Sequence, residues 1–186
     1  MIFITVLLLV AFVVFLPIFL VTRNGVIETL TITVGITLYH FAMRLAVGFA
    51  VDAIMKNKAD HNNVWFCEKG FEKRLYKLMR VRAWKKYLPT YSPDTFDTNC
   101  KTVQEIVGAT CQAEIVHEVI MLLSLLPILF IPLLGGAATL VITSVLAMLF
   151  DSLFVILQRY NRPRLIRVME RFQKLSGKEK SDKTDP

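Results

Sequence analysis

The sequence predicts an all-α integral membrane protein, built as a bundle of four transmembrane helices. Hydrophobic residues make up 54% of the 186 positions, which exceeds the usual share in a soluble domain, yet the net charge is +7. The high hydrophobic share and the net positive charge are compatible because the basic residues are concentrated in separate segments of the sequence. Twenty of the 22 Lys and Arg residues lie within 56–101 or 159–183, and four long apolar stretches lie outside these two basic regions.

The first two predicted spans cover about residues 2–21 and 29–54. About 20 apolar residues suffice to cross the hydrocarbon core as a helix. The first stretch has neither a basic leading region nor a small-residue cleavage site, so we interpret it as a retained helix and not as a signal peptide. The second is less uniform, because it carries His40, Arg44 and Asp52.

The third and fourth predicted spans cover about residues 102–134 and 137–157. The third begins as a polar helix, and Pro127 and Pro132 predict a kink or a break in its second half. Gly135 and Gly136 form a link so short that the two spans must make a tight helical hairpin.

A basic amphipathic helix is predicted on the cytoplasmic face between the second and third spans, over about residues 64–88. Aromatic and aliphatic residues alternate there with Lys and Arg, which is typical of a helix lying in the plane of a leaflet. Such a helix anchors the protein to the surface. It can also attract an anionic substrate, such as a coenzyme thioester or a lipid phosphate.

The charge distribution predicts a multi-pass protein of the cell membrane with both termini in the cytoplasm. Two spans separate the basic region 56–101 from the basic tail, so both lie on one side, and Lys and Arg favour the cytoplasm. We expect residues 1–175 to form a single membrane domain. Residues 176–186 are charged and lack large apolar side chains, which predicts disorder.

Polar residues inside the spans suggest chemistry, because a charged side chain at the membrane centre costs about 2.5–3.5 kcal/mol. Glu114 and His117 lie three positions apart on one helical face, so the carboxylate can orient the imidazole as a general base. His40 and Arg44 share a face of the second span, and Asp151 lies in the fourth. The alternative is a structural polar network, foremost between Asp151 and Arg44.

Metal binding is a weaker hypothesis. His117 and Glu118 begin like the HExxH motif, but Met121 stands where the second His would be, so that motif is absent. A site made of His40, Glu114 and His117 stays open as an alternative, and we predict no metal.

The most informative motif is the heptapeptide from Gln158 to Arg164, directly after the fourth span. Arg159, Arg162 and Arg164 can bind phosphate or carboxylate through paired donors. The alternative is a positive-inside anchor, but an anchor needs charge only, whereas Gln, Asn and Pro are interleaved with the arginines here.

Three motifs resemble the glycosyl-4,4'-diaponeurosporenoate acyltransferases, membrane enzymes that esterify the glucose of a carotenoid with a fatty acyl group in staphyloxanthin synthesis. They are VRAWK at 81–85, AEIVH at 113–117 and QRYNRPR at 158–164. The chain departs from the carotenoid enzyme in its long apolar first segment, in His40 and Arg44, and in Asp151, where that enzyme has Asn. These departures leave the acceptor open between a glycosylated carotenoid and another glycolipid.

The resemblance implies an acyltransferase that moves a fatty acyl group from a thioester donor to a hydroxyl of a lipid-like acceptor. It implies His117 and Glu114 as catalytic residues, acyl-CoA or a similar thioester as co-substrate, and no tightly bound cofactor. The predicted substrate-binding residues are Arg82, Trp84, Lys85, Gln158, Arg159, Asn161, Arg162, Arg164, His40, Arg44 and Asp151.

The expected partners are membrane lipids, the donor and the acceptor, with no nucleic acid, and the sequence leaves the oligomeric state open. The rival hypothesis is a small non-enzymatic protein that binds lipids or a partner, and in which the polar residues are structural.

Overall fold

The computed structural model describes residues 1–88 and 101–182, and within them the chain is helical with no strand. Residues 89–100, which include Cys100, lie outside the described residues. The helices are α1 (Ile2–Thr22), α2 (Gly25–Met55), α3 (Glu72–Leu78), α4 (Val81–Trp84), α5 (Val103–Ser124), α6 (Ile131–Leu134) and α7 (Ala137–Asp182), with 3₁₀ turns at Lys85–Tyr87 and Leu126–Phe130.

Four helical stretches are long and apolar enough to cross a membrane, which confirms the predicted class. They are Ile2–Thr22, Gly25–Met55, Val103–Leu134 and Ala137–Phe172. No residue of α1 is buried within the protein. A helix that is apolar all round and not covered by protein needs lipid around it.

Local capping sets where two spans begin. The Asn24 side chain accepts a hydrogen bond from the amide of Val26 at 2.8 Å, so α2 begins at Gly25, four residues before the predicted start at 29. Thr102 and Glu105 form a reciprocal capping box at the start of α5. The Thr102 amide donates to Glu105 at 2.8 Å, and the Glu105 amide donates to the Thr102 hydroxyl at 3.3 Å.

The prolines break the third span as predicted. Helix α5 ends at Ser124, a 3₁₀ turn follows with Pro127 near its start, and α6 begins with Pro132 near its start. Gly135 and Gly136 then have φ of 66° and 57°, a region that favours glycine, so the hairpin link uses the two residues suited to it.

Helix α7 continues well beyond the predicted span 137–157, up to Asp182 with Pro163 inside it. The prediction ended the helix where the apolar run ends, but the following residues are mostly good helix formers. The helix also includes positions 176–182 of the tail that composition predicts to be disordered. Residues 183–186 lie outside the described residues.

The basic helical region between the second and third spans is present, but not as one helix over 64–88. Asp60 and Asn63 accept hydrogen bonds from the amides two residues ahead, at 2.9 and 3.0 Å, which favours turns before α3. Arg80 has φ of 50° and separates α3 from α4. Large apolar side chains stay exposed in this region, namely Val64, Trp65, Phe71, Leu78 and Tyr87.

The chain forms two compact units, and the single membrane domain over residues 1–175 stays a prediction. Unit 1 comprises Met1–Ile54 and Val116–Leu153. Its core contains Met43, Val47 and Ile120, and the Tyr39 hydroxyl donates to the Leu123 carbonyl at 2.8 Å.

Unit 2 comprises Met55–Ile115 and Phe154–Pro186. Close packing joins the segment after α2 to α5 within this unit. A Cβ on Gly108 would lie 2.5 Å from the Asn57 carbonyl oxygen, so only glycine allows this approach. The Asn57 amide donates to the Gln112 side chain at 2.6 Å, which satisfies a backbone donor beside a left-handed turn.

Candidate functional site

Unit 1 contains a buried cluster of ionisable groups from three helices, which we call the His–Asp cluster. Asp151 on α7 accepts from His117 on α5, with Nδ1 and Oδ1 2.9 Å apart, and its Oδ2 pairs with Arg44 on α2. The Asp151 side chain is 2% exposed, whereas the His117 side chain keeps 22%. The Asp151 carboxylate is therefore shielded from solvent, whereas part of the His117 imidazole is accessible.

The carboxylate found at His117 Nδ1 differs from the one that the sequence suggested. The sequence placed Glu114 one turn from His117 as the carboxylate that orients it, but Asp151 occupies Nδ1. Spacing on one helix shows which residues share a face, whereas the carboxylate that reaches the ring is 34 positions away. A carboxylate at Nδ1 fixes the tautomer and directs Nε2 toward other groups.

His40 is buried beside the same cluster. Its ring packs edge-to-face on Tyr39, with 5.4 Å between centroids, and its carbonyl accepts from Arg44 at 3.3 Å. Among the residues that the structure describes, neither ring nitrogen of His40 has a hydrogen-bond partner. Arg44 thus contacts Asp151 and the His40 backbone, and the predicted His40–Arg44 pair is a backbone contact.

Unit 2 contains a second cluster, the Arg–Glu network of Glu72, Glu114, Arg159 and Arg162. Both oxygens of Glu114 accept from guanidinium groups, Oε1 from Arg159 at 2.7 Å and Oε2 from Arg162. Arg159 also pairs with Glu72. The network alternates two carboxylates with two guanidinium groups, so its formal charges cancel.

Arg162 is the largest side chain in the structure with almost no exposure, at 1%. It donates from Nε to the Thr110 hydroxyl at 3.1 Å and from Nη1 to the Phe66 carbonyl at 3.2 Å. Arg159 donates further to the Trp65 carbonyl at 2.7 Å. These partners tie α7 to α5 and to the segment before α3, which is a structural use of both arginines.

Tyr76 extends this network. Its hydroxyl donates to Glu72 at 2.8 Å, and its ring meets Tyr160 edge-to-face at 5.3 Å between centroids. Burial and the hydrogen bond to the Glu72 carboxylate raise the pKa of Tyr76 above its usual range. The phenol therefore remains a neutral donor, and Glu72 keeps a partner besides Arg159.

An open groove of about 1540 Å³ lies within unit 2, and we call it the basic groove. Six exposed cations line it: Lys73, Lys77, Arg80, Arg82, Arg164 and Arg167. Its buried lining includes Phe66, Tyr76 and Met169. The groove thus combines an apolar interior with a cationic edge.

The other predicted binding residues in unit 2 contact their neighbours. Lys85 donates to the Asn161 side chain at 3.1 Å and lies 5.1 Å from the centroid of the Tyr160 ring. The Trp84 indole donates to the Met79 carbonyl at 2.8 Å, and Gln158 is buried. Of the predicted binding residues, only Arg82 and Arg164 are exposed and line the basic groove.

Sequence reasoning missed Glu72, Tyr76 and the groove cations Arg80 and Arg167. The one local signal was the spacing of Glu72 and Tyr76, four positions apart on α3. Within the described part of the chain, no group of three His, Cys, Asp or Glu side chains is arranged to hold a metal ion.

Comparison with known proteins gives one finding. A family model described as glycosyl-4,4'-diaponeurosporenoate acyltransferase matches residues 62–171, which contain α3 to α6 and most of α7. No curated protein matches, and no solved structure matches. Arg44 and His40 lie outside the matched residues, whereas His117, Asp151 and the six exposed cations of the basic groove lie within them.

Proposed function

This chain belongs to the glycosyl-4,4'-diaponeurosporenoate acyltransferase family, and from that premise we propose that it transfers a fatty acyl group from a thioester donor to a hydroxyl group of a lipid-like acceptor. The acceptor in this proposal is a glycosylated carotenoid or another glycolipid. The four apolar helical stretches suit an enzyme whose substrates reside in a membrane. The match covers more than half of the chain, from 62 to 171.

The observation that carries the mechanism is the 2.9 Å contact between His117 Nδ1 and Asp151 Oδ1. We assign His117 as the general base. Asp151 holds the ring through Nδ1 and stabilises the imidazolium that forms, while Nε2 takes the proton of the acceptor hydroxyl. Arg44 pairs with the other oxygen of Asp151 and so supplies a counter-charge to this buried carboxylate.

The proposed acyl transfer needs no reagent besides the donor and the acceptor. The acceptor oxygen attacks the thioester carbonyl, a C–O bond forms, and the C–S bond of the tetrahedral intermediate breaks. The imidazolium of His117 returns its proton to the departing thiolate, so the products are an ester and a free thiol. Glu114, which the sequence suggested as the orienting group, has no step in this proposal because its two oxygens accept from Arg159 and Arg162.

The rival function is a non-enzymatic lipid-binding or partner-binding protein. The Arg–Glu network supports it in part, since Glu114, Arg159 and Arg162 serve each other and the backbone. The His–Asp cluster favours the enzyme, because a partly exposed imidazole held by a buried carboxylate is the arrangement of a general base.

Lipid profiling tests the function directly. Lipids from cells with the gene, without it, and with His117→Gln in its place are compared by mass spectrometry. We expect an ester of a fatty acid with a glycosylated lipid in the first sample and its loss from the other two. Identical profiles with and without the gene would favour the binding protein.

The proposed cytoplasmic placement of the basic regions predicts a labelling pattern. In a variant without native cysteines, a single cysteine at exposed Lys69 or Lys174 should react with an impermeant thiol reagent only after the cytoplasmic side is opened. A cysteine at Asn24, between α1 and α2, should react in intact cells. Labelling of Lys69→Cys or Lys174→Cys from outside would refute the orientation. The native cysteines to replace are Cys67, Cys100 and Cys111.

A further inference from the structure

We propose that the basic groove binds the phosphate-bearing part of the acyl donor, an inference that rests on the acyl transfer proposed above. The sequence assigned this role mainly to the arginines of the heptapeptide 158–164. The structure divides those arginines, because Arg159 and Arg162 point into the Arg–Glu network whereas Arg164 is exposed on the groove.

The charge of the groove supports a polyanionic ligand. Seven of its lining residues are Lys or Arg, and two are Glu. Glu114 pairs with the buried Arg162, and Glu68 pairs with Lys73 at 3.7 Å. All seven cations except Arg162 are exposed, and guanidinium and ammonium groups bind phosphate through charge-assisted hydrogen bonds. A concave surface with an excess of positive charge also concentrates anionic ligands.

The size and the apolar interior of the groove support a ligand with a chain as well as a charged head. Its volume of about 1540 Å³ exceeds the roughly 300–1,000 Å³ of ordinary small-molecule pockets. Phe66 and Met169 are buried in its lining, so an apolar portion of the ligand can pack against them. A molecule that carries phosphates at one end and an acyl chain at the other fits both properties.

The groove is also rigidly framed. Arg162 donates to the Phe66 carbonyl at 3.2 Å, and its guanidinium lies 5.0 Å from the centroid of the Phe66 ring. Tyr76 and Tyr160, which both line the groove, pack edge-to-face on each other. The Arg–Glu network therefore fixes the surfaces on which the exposed cations stand, and a preorganised site loses less entropy on binding.

Two sources offer this chemistry. One is a water-soluble acyl thioester whose carrier bears several phosphates, and the other is the headgroup of an anionic membrane phospholipid, which is an oxygen ester and not the thioester donor. The shared feature is phosphate attached to an acyl-bearing molecule, and the two sources are separated by the solvent in which binding is measured.

The test removes two groove cations that stand on different helices, Lys77 on α3 and Arg167 on α7. The double variant Lys77→Gln with Arg167→Gln is compared with Lys69→Gln with Arg74→Gln, which removes one Lys and one Arg from exposed positions of unit 2 that do not line the groove. The full-length protein is purified in an uncharged detergent. Its affinity is measured for free coenzyme A, and in a second arm for phosphatidylglycerol mixed into the micelles.

We expect the groove variant to bind coenzyme A about tenfold more weakly and the control variant to change by less than about twofold. The difference should shrink in high salt, which screens exposed charges. Dependence on the groove in the coenzyme A arm supports binding of the donor's carrier, whereas dependence in the phosphatidylglycerol arm alone shows a membrane lipid in the groove and overturns the donor assignment. Equal losses in both variants, or no loss with either ligand, would overturn the proposal.

These readouts separate this inference from the proposed function, because binding is measured without turnover. With an active protein, the groove variant should raise KM for the donor and leave kcat nearly unchanged. His117→Gln should bind the ligand like the wild type. A chain that binds the ligand in the groove but forms no ester would refute the acyl transfer alone, and a transferase with unchanged KM in the groove variant would refute the groove alone.

Discussion

His117→Gln is expected to lose at least about a hundredfold in the rate of acyl transfer, because a positioned general base contributes about 10²–10⁴-fold. Glutamine keeps a side chain that can bond to Asp151, but its amide does not accept a proton usefully. The imidazole is 22% exposed, and glutamine can still bond to Asp151, so this replacement should leave insertion and folding intact. The measurement is ester formation per folded protein in detergent micelles.

Two further variants serve as comparisons for His117→Gln. Asp151→Asn keeps an oxygen that can accept from Nδ1–H but removes the charge that stabilises imidazolium, so it should lose less activity than His117→Gln. Ser152→Ala is the neighbouring control on α7, since that hydroxyl donates to the Leu149 carbonyl at 2.6 Å. It should be fully active. A well-folded, fully active His117→Gln protein would show that the imidazole is structural.

Glu114→Gln is expected to destabilise the protein by about 3–5 kcal/mol, the usual cost of removing one partner of a buried ion pair. Its side chain is 0% exposed, and it accepts from both Arg159 and Arg162. The neutral amide offers one acceptor oxygen and turns an NH₂ group toward the second guanidinium, so a buried cation is left uncompensated. The measurement is thermal or denaturant unfolding of the purified protein in detergent.

Glu105→Gln is the matched control for this second prediction. It is the same substitution on the same helix α5, but at an exposed capping position, where glutamine can also complete the capping box. Its free energy of unfolding should stay close to that of the wild type. If Glu114→Gln unfolds like the wild type yet loses acyl transfer, Glu114 acts in the chemistry and the structural role of the network is wrong.

The rate of acyl transfer and the free energy of unfolding thus distinguish the roles of His117 and Glu114, which lie three positions apart on α5. On the sequence alone both were catalytic candidates, with the Glu114 carboxylate orienting the His117 ring. In the structure, the His117 ring contacts the Asp151 carboxylate, whereas the Glu114 carboxylate pairs with Arg159 and Arg162. We therefore expect His117 variants to change the rate and Glu114 variants to change the free energy of unfolding.

The sequence by itself determined the class, the four spans and the breaks between them. These features depend on local physics: apolar length sets which segments can cross a membrane, proline ends α5, and Gly135 and Gly136 permit the tight link. The motif at 158–164 was also sufficient to suggest the family, because the order of those residues is specific whereas apolar segments are not.

Only the tertiary structure decided the partners of the polar residues. Helical spacing limits which side chains share a face, but an ion pair forms with whichever group the fold brings near, here across 34 positions for His117 and 48 for Arg162. The tertiary structure likewise decided which of the polar side chains are exposed. Arg162 and Arg164 are two positions apart in one motif and both line the groove, yet Arg162 is buried in an ion pair with Glu114 whereas Arg164 is exposed.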